Sequence, residues 1–269
     1  LSIYPAGSSI SAGTTVTVNT DTFYTFTNLL PNTDYQVYLQ AICPSGTGSS
    51  ENVGITFSTL CDFITTLPFT ENFDGVAGAS STSVAENNLP SCWFNHNTGT
   101  STSYSGYPIV YNSAANAASG SNSMRFYVST TTGTYSTQWA MLPAFDVTQN
   151  PMSSLMLSFD ARSTSTSTPL VLEVGVMDNP FDVSSFTLVS TITASGTTYT
   201  RQEVYFSGYN GTGNVIAIRA PQGGTSNYGN VDNIVVDLTP DCSPVNDLAV
   251  SRIAATSALV TWTQGTMGV

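Results

Sequence analysis

Apolar and polar residues alternate with a period of two along almost the whole chain. Phe23-Tyr24-Thr25-Phe26, Tyr35 to Ala41, Ser123 to Val128, Leu155 to Asp160, Leu170 to Met177 and Asn214 to Ala220 are runs of this kind, rich in Thr, Val, Tyr and Phe. A half-buried β-strand needs that period, because successive side chains leave opposite faces of the sheet. Clusters of Gly, Pro, Asn and Ser interrupt the runs at regular intervals, as turns require. No stretch combines helical periodicity with caps. The pattern predicts an all-β chain.

The same pattern suggests one domain cut in two. Residues 240–269 read as the opening of a β-sandwich, with a first strand at Leu248-Ala249-Val250 and a second at Ala258-Leu259-Val260-Thr261-Trp262, whose tryptophan belongs in a core. Residues 1–60 read as the remainder of that sandwich. Neither piece can bury its apolar face alone. Written tail to head, the stretch ending at Val269 runs into Leu1-Ser2-Ile3-Tyr4-Pro5 as strand, Gly-rich turn and strand. The expected domains are therefore 1–60, 61–239 and 240–269, the last completed by residues 1–60 of a neighbouring unit. Leu1, Ile3, Tyr4, Trp262 and Val269 are the expected seam. The central block is long enough for a larger sandwich, of about eight strands or more.

Composition narrows the partners. Charged residues are 8% of the chain, against about 25% in ordinary soluble domains. All five basic residues are arginine, and 36 Ser and 40 Thr supply the polarity. A net charge of −12 argues against a nucleic-acid backbone and suits divalent cations or neutral sugars. No apolar run approaches the ~20 residues of a membrane-spanning helix, so no membrane insertion is expected. Four cysteines in a lysine-free, hydroxyl-rich chain indicate an oxidising, extracellular or cell-surface setting.

Residues able to do chemistry are scarce. His96 is the only imidazole, and no Gly-x-Ser-x-Gly nucleophile turn accompanies it. Glu173 and Glu203 each stand alone in a strand, without the paired carboxylates that glycoside hydrolysis needs. The chain is not expected to be an enzyme. Asn210-Gly211-Thr212 is an acceptor sequence for glycosylation in a Gly-rich turn. Tyr104, Tyr107, Tyr209 and Tyr228, set among Gly, Ser and Asn, could stack on sugar rings or serve as interface residues.

The split module resembles a fibronectin type III domain of bacterial secreted proteins. The resemblance rests on Trp262, the Leu29-x-Pro31…Tyr35 corner and the closing Phe57-Ser58-Thr59-Leu60-Cys61. It implies that the Tyr35 hydroxyl bonds to nearby backbone. The central block resembles the jelly-roll modules of the meprin-like and bacterial cleaved-adhesin families, through Cys61-Asp62-Phe63, Phe69 to Gly75, Leu89-Pro90-Ser91-Cys92-Trp93 and Gly229 to Ile234. The fibronectin-like topology implies disulfides Cys43–Cys242 and Cys61–Cys92. The jelly-roll resemblance implies a structural Ca²⁺ held by Glu71, Asp74, Asp232 and Asn233, against the plainer reading of carboxylates bonding backbone N–H groups. Together these suggest a repeat unit of an extracellular bacterial filament or long surface adhesin, with identical units head to tail. The alternative is a carbohydrate-binding region of a secreted glycan-active protein, with surface glycans as partners.

Overall fold

The alternation becomes antiparallel sheet in a computed structural model that describes residues 1–8, 13–42, 53–100, 102–128, 137–221, 226–240 and 246–263. These fall into two units, Leu1–Asp62 and Phe63–Val269. The fold is all-β, built of sandwich sheets.

The first unit is one sheet of four strands. β1 (Ser2–Pro5), β2 (Thr14–Thr15), β3 (Asp34–Leu39) and β4 (Val53–Ser58) lie in the order β2-β1-β3-β4. Directly paired residues share a face of a sheet, and the register pairs Ile3 with Val37, Val37 with Ile55, Tyr35 with Phe57 and Leu39 with Val53. Apart from Thr14, which pairs with Ile3 at the β2 edge, the paired residues of that face are apolar or aromatic. The other carries Ser2, Tyr4, Gln36, Tyr38 and Thr56, with Tyr4 stacked on Tyr38 at 5.7 Å. At the corner before β3, the Tyr35 hydroxyl accepts the Leu30 N–H at 2.9 Å. This bond fixes the entry of the chain into its central strand.

The second unit is a two-sheet sandwich with jelly-roll-like antiparallel topology. Its first sheet comprises β5 (Phe69–Glu71), β7 (Ile109–Asn112), β8 (Asn122–Val128), β10 (Leu155–Ser163), β13 (Thr200–Tyr205) and β15 (Asn227–Leu238). They run β13-β10-β15-β8-β7, and β5 also pairs with the long β15. The second sheet, β12-β11-β14-β9-β6, contains β6 (Phe94–Asn97), β9 (Gln138–Met141), β11 (Leu170–Met177), β12 (Thr187–Ala194) and β14 (Val215–Ala220). The inward residues of both sheets meet in one core in which Phe73, Phe126, Leu157, Phe159, Leu172 and Ile218 are fully buried. Trp93 joins it edge-on to Phe73 at 5.8 Å. Burial of such side chains, at about 1.5–3 kcal/mol each, is what holds this unit together.

Two features depart from the alternation. Phe23-Tyr24-Thr25-Phe26 forms no strand, because no described strand lies beside it. Among the described strands, β16 (Asn246–Ser251) and β17 (Leu259–Thr263) pair only with each other. The tryptophan expected in a core is consequently 58% exposed.

Candidate functional site

The apolar face of the first unit is open. Ile3 and Tyr35 are buried, but Leu39, Val53, Ile55 and Phe57 are not, and Ile55 is 68% exposed. The segment Asp21–Phe26 lies along this face and, with Leu1, Leu29, Val37 and Ile55, lines a groove of about 600 Å³. Of the side chains lining it, Asp21 alone is charged. A sandwich normally covers such a face with a second sheet about 10 Å away. Here nothing described does.

The hairpin carries exposed apolar side chains of its own. Val250 pairs with Val260, so both share one face with Trp262, two residues along β17. The other face carries Ala249, Ser251, Leu259 and Thr261. Val250, Val260, Leu259 and Trp262 are all exposed. One face of the hairpin is thus a Val–Val–Trp stripe that no described residue covers. Of the expected seam residues, Leu1 lines the groove and Ile3 is buried on its face, whereas Tyr4 belongs to the opposite face. Trp262 lies on the hairpin stripe. Val269 lies outside the described residues.

The four expected cation ligands gather around one end of the larger sheet. Asp74 follows β5 and Asp232 and Asn233 lie in β15, whose Ile234 pairs with Glu71. Between them runs the loop 113–121, and the carboxylates hold it by its backbone. Asp232 Oδ2 accepts the N–H groups of Ala118 (2.7 Å) and Ser119 (3.1 Å), and Asp74 Oδ1 accepts those of Ser121 (2.8 Å) and Asn122 (3.1 Å). Gly120 turns between these anchors with φ +58°, where a Cβ would stand 1.7 Å from Asp74 Oδ2. Glu71 accepts the Phe73 N–H at 2.6 Å, and Asn233 Oδ1 accepts the Ser119 hydroxyl at 2.6 Å. The plainer reading, carboxylates bonding backbone N–H groups, describes this geometry.

Whether a cation fits is a matter of the donors left over. Burial raises the Glu71 carboxyl above its usual range, and the charges of Asp232 and Asp74 raise it further. Asp232 is fully buried and is likewise raised, first by burial and also by Asp74. No arginine among the described residues pairs with any of the three. Yet no three His, Cys, Asp or Glu side chains among the described residues converge closely enough to hold an ion. A cation beside Glu71 and Asn233, which border a cleft of about 250 Å³, would draw on backbone and amide oxygens as well as carboxylates. That mixed oxygen set is the kind calcium takes.

On the outer face of the same sheet, tyrosines surround a buried arginine. Arg125, 4% exposed, lies 3.6 Å from the centre of the Tyr111 ring and 5.2 Å from that of Tyr228, and its Nε donates to Asn230 Oδ1 at 3.1 Å. Tyr104 stacks on Tyr127 at 4.5 Å, and Tyr127 meets Tyr228 at 4.8 Å. Burial lowers the arginine pKa, and the neighbouring tyrosines oppose that shift. Tyr107 and Tyr209 are buried instead of exposed. Their hydroxyls bond the Thr82 carbonyl and the Gly213 N–H, which removes both rings as sugar platforms.

The remaining candidates are placed as follows. His96 is exposed on β6. Glu173 pairs with Arg219 in one sheet, while Glu203 accepts the Tyr205 hydroxyl in the other. Asn210 is exposed, and the Thr212 hydroxyl donates to Asp178 at 2.8 Å. Cys61 and Cys92 are both disulfide-bonded. Cys43 and Cys242 lie outside the described residues.

No protein-family model and no curated protein matches the sequence. Among solved structures, the chain is similar to the K2 cleaved adhesin domain of Lys-gingipain, at 13% identity and TM-score 0.47, covering 64% of this chain and 99% of that one. It is similar to the K1 domain of Lys-gingipain from Porphyromonas gingivalis W83, at 15% identity and TM-score 0.46, over 65% and 100%. The carbohydrate-binding module TmCBM61, solved with β-1,4-galactotriose, matches at 12% identity and TM-score 0.36, over 62% and 94%.

Proposed function

We propose that this chain is a structural, non-catalytic unit of an extracellular bacterial filament or long surface adhesin, in which the open sheet of one unit is covered by the β16–β17 hairpin of the next. One observation carries the reading. Among the described residues the chain holds a sheet with an uncovered apolar face and a hairpin with an exposed apolar stripe that pairs with no further strand. Exposed apolar surface of this extent marks an interaction site. A contact between two unlike surfaces extends from unit to unit where it does not close into a ring. The disulfides at Cys61 and Cys92, proposed to join those two residues, support an oxidising location. A structural Ca²⁺ beside Glu71, Asp74, Asp232 and Asn233, and a glycan on Asn210, belong to the same proposal.

Two single-site variants test it. Ile55→Asp places a charge in the groove and leaves the hairpin intact; Trp262→Asp does the reverse. Each alone should stay monomeric in sedimentation velocity, and an equimolar mixture should form a one-to-one complex. If the wild type shows no concentration-dependent association and the mixture forms no complex, the reading is wrong.

A second reading, recognition of a glycan by the first sheet of the sandwich, draws on the Tyr104, Tyr127 and Tyr228 rings beside Arg125. Retention on immobilised polysaccharide that is lost with Tyr228→Ala would support it, and no retention of the wild type would remove it.

A further inference from the structure

Backbone groups in Thr22–Thr27 have no described partner. Strand pairing would place Phe23, Thr25 and Thr27 on one face and Thr22, Tyr24 and Phe26 on the other, and residues 22–26 line the groove. None of its N–H or C=O groups makes a backbone hydrogen bond among the described residues. A segment held against an apolar face whose backbone groups have no described partner is able to accept a further strand.

β17 offers the matching edge. Its one described partner is β16, so its other side has no partner among the described residues. Resting on the assembly reading above, we infer that β17 of a second copy pairs along Thr22–Thr27. The hairpin and this segment then form a three-stranded sheet, β16, β17 and Thr22–Thr27, that closes the groove. Strand addition provides main-chain hydrogen bonds, and alternate side chains provide selectivity. Here the alternate side chains are Val260 and Trp262, with Val250 beside them.

The free side of β4 is the competing edge, since β4 ends the sheet order. Pairing there would only widen the existing sheet and leave Val37 and Ile55 facing solvent. Pairing along Thr22–Thr27 sets the hairpin over the open face, with its apolar stripe turned towards Val37 and Ile55. Nothing charged on the stripe opposes that contact.

Hydrogen–deuterium exchange on the mixed complex separates these modes. The Trp262→Asp chain, whose groove is intact, is followed alone and after mixing with the Ile55→Asp chain, whose hairpin is intact. Amides of residues 22–27 in the first chain and of 259–263 in the second should slow by about a hundredfold or more on mixing. Thr25→Pro, which removes a donor and keeps the exposed site, should weaken the complex at least about tenfold, while Thr25→Val should not. A complex that forms without protection of 22–27, or that protects 53–58 instead, overturns the strand pairing and leaves the assembly reading standing. Failure to form any complex overturns both.

Discussion

Truncating Trp262 to alanine should cost the assembly most of its affinity. A tryptophan presents about 250 Å² at most. Because Trp262 is 58% exposed on the free hairpin, roughly 145 Å² is available for burial in a neighbour's groove. At about 25 cal/mol per Å² this amounts to about 3.6 kcal/mol. Interfacial packing is seldom complete, so the measured loss should fall at about 2–4 kcal/mol, or roughly 30- to 1,000-fold in Kd. The assay is titration of the Ile55→Asp donor, with and without Trp262→Ala, into the Trp262→Asp acceptor, followed by fluorescence anisotropy of a labelled acceptor. Thr261→Ala is the control, because Thr261 shares the opposite face with Ala249. It should shift Kd by less than about threefold. If Trp262→Ala also stays within that limit, or if the two variants are equivalent, the Val–Val–Trp stripe is not the contacting face.

Five further outcomes follow from the geometry. Tyr35→Phe leaves the Leu30 N–H without its 2.9 Å partner and should lower the opening free energy of β3 and β4 by about 1 kcal/mol, read by native-state hydrogen exchange. Gly120→Ala combines a φ of +58° with a collision at Asp74 and should cost about 1–3 kcal/mol in denaturant unfolding. Gly75→Ala, with nothing within 4 Å of its Cβ, should cost under about 0.5 kcal/mol. Glu71 and Asp232 hold their protons more tightly when folded, so their contribution is fully present below the ordinary carboxylate range. It is lost as pH rises through their raised folded values. Asp146 and Asp182, lowered chiefly by hydroxyl hydrogen bonds, act in the opposite sense, so the diagnostic is the difference from Asp232→Asn. That variant should flatten any fall in unfolding midpoint above pH 4, and an unchanged slope would refute the assignment. Millimolar Ca²⁺ should raise the melting temperature at pH 7 and a chelator reverse it, with about 2.7 kcal/mol expected at a hundredfold excess over Kd. Asp232→Asn should abolish the response.

Most strands of the sandwich are legible in the sequence because alternation is a local property. Ser123 to Val128 and Leu170 to Met177 become β8 and β11 with little change. Phe23 to Phe26 has the same local signal and forms no strand, since a strand also requires a neighbour. The alternation also misjudges β8 and β15. Ser123, Arg125 and Asn230 occupy positions that a half-buried strand would turn to water, yet all three are buried. Loop 113–121 lies on that face, with the Asn116 carbonyl accepting from Ser123, Tyr199 and Asn230. No periodicity announces a loop folded back over a sheet. The carboxylates Asp74 and Asp232 stand out in the sequence as turn residues. Their partners do not, because backbone N–H groups 47 to 114 positions away leave no mark in residue type.

An open sheet and a bare hairpin on one chain also give any polymer built this way a direction. One end always displays an empty groove, and the other always displays an unused hairpin. The two tips therefore differ chemically however long the polymer grows. A free peptide spanning β16 and β17 would occupy the groove-bearing tip and arrest extension there, while leaving the opposite tip able to grow. Filament length would then be set by the supply of terminators as much as by the supply of units.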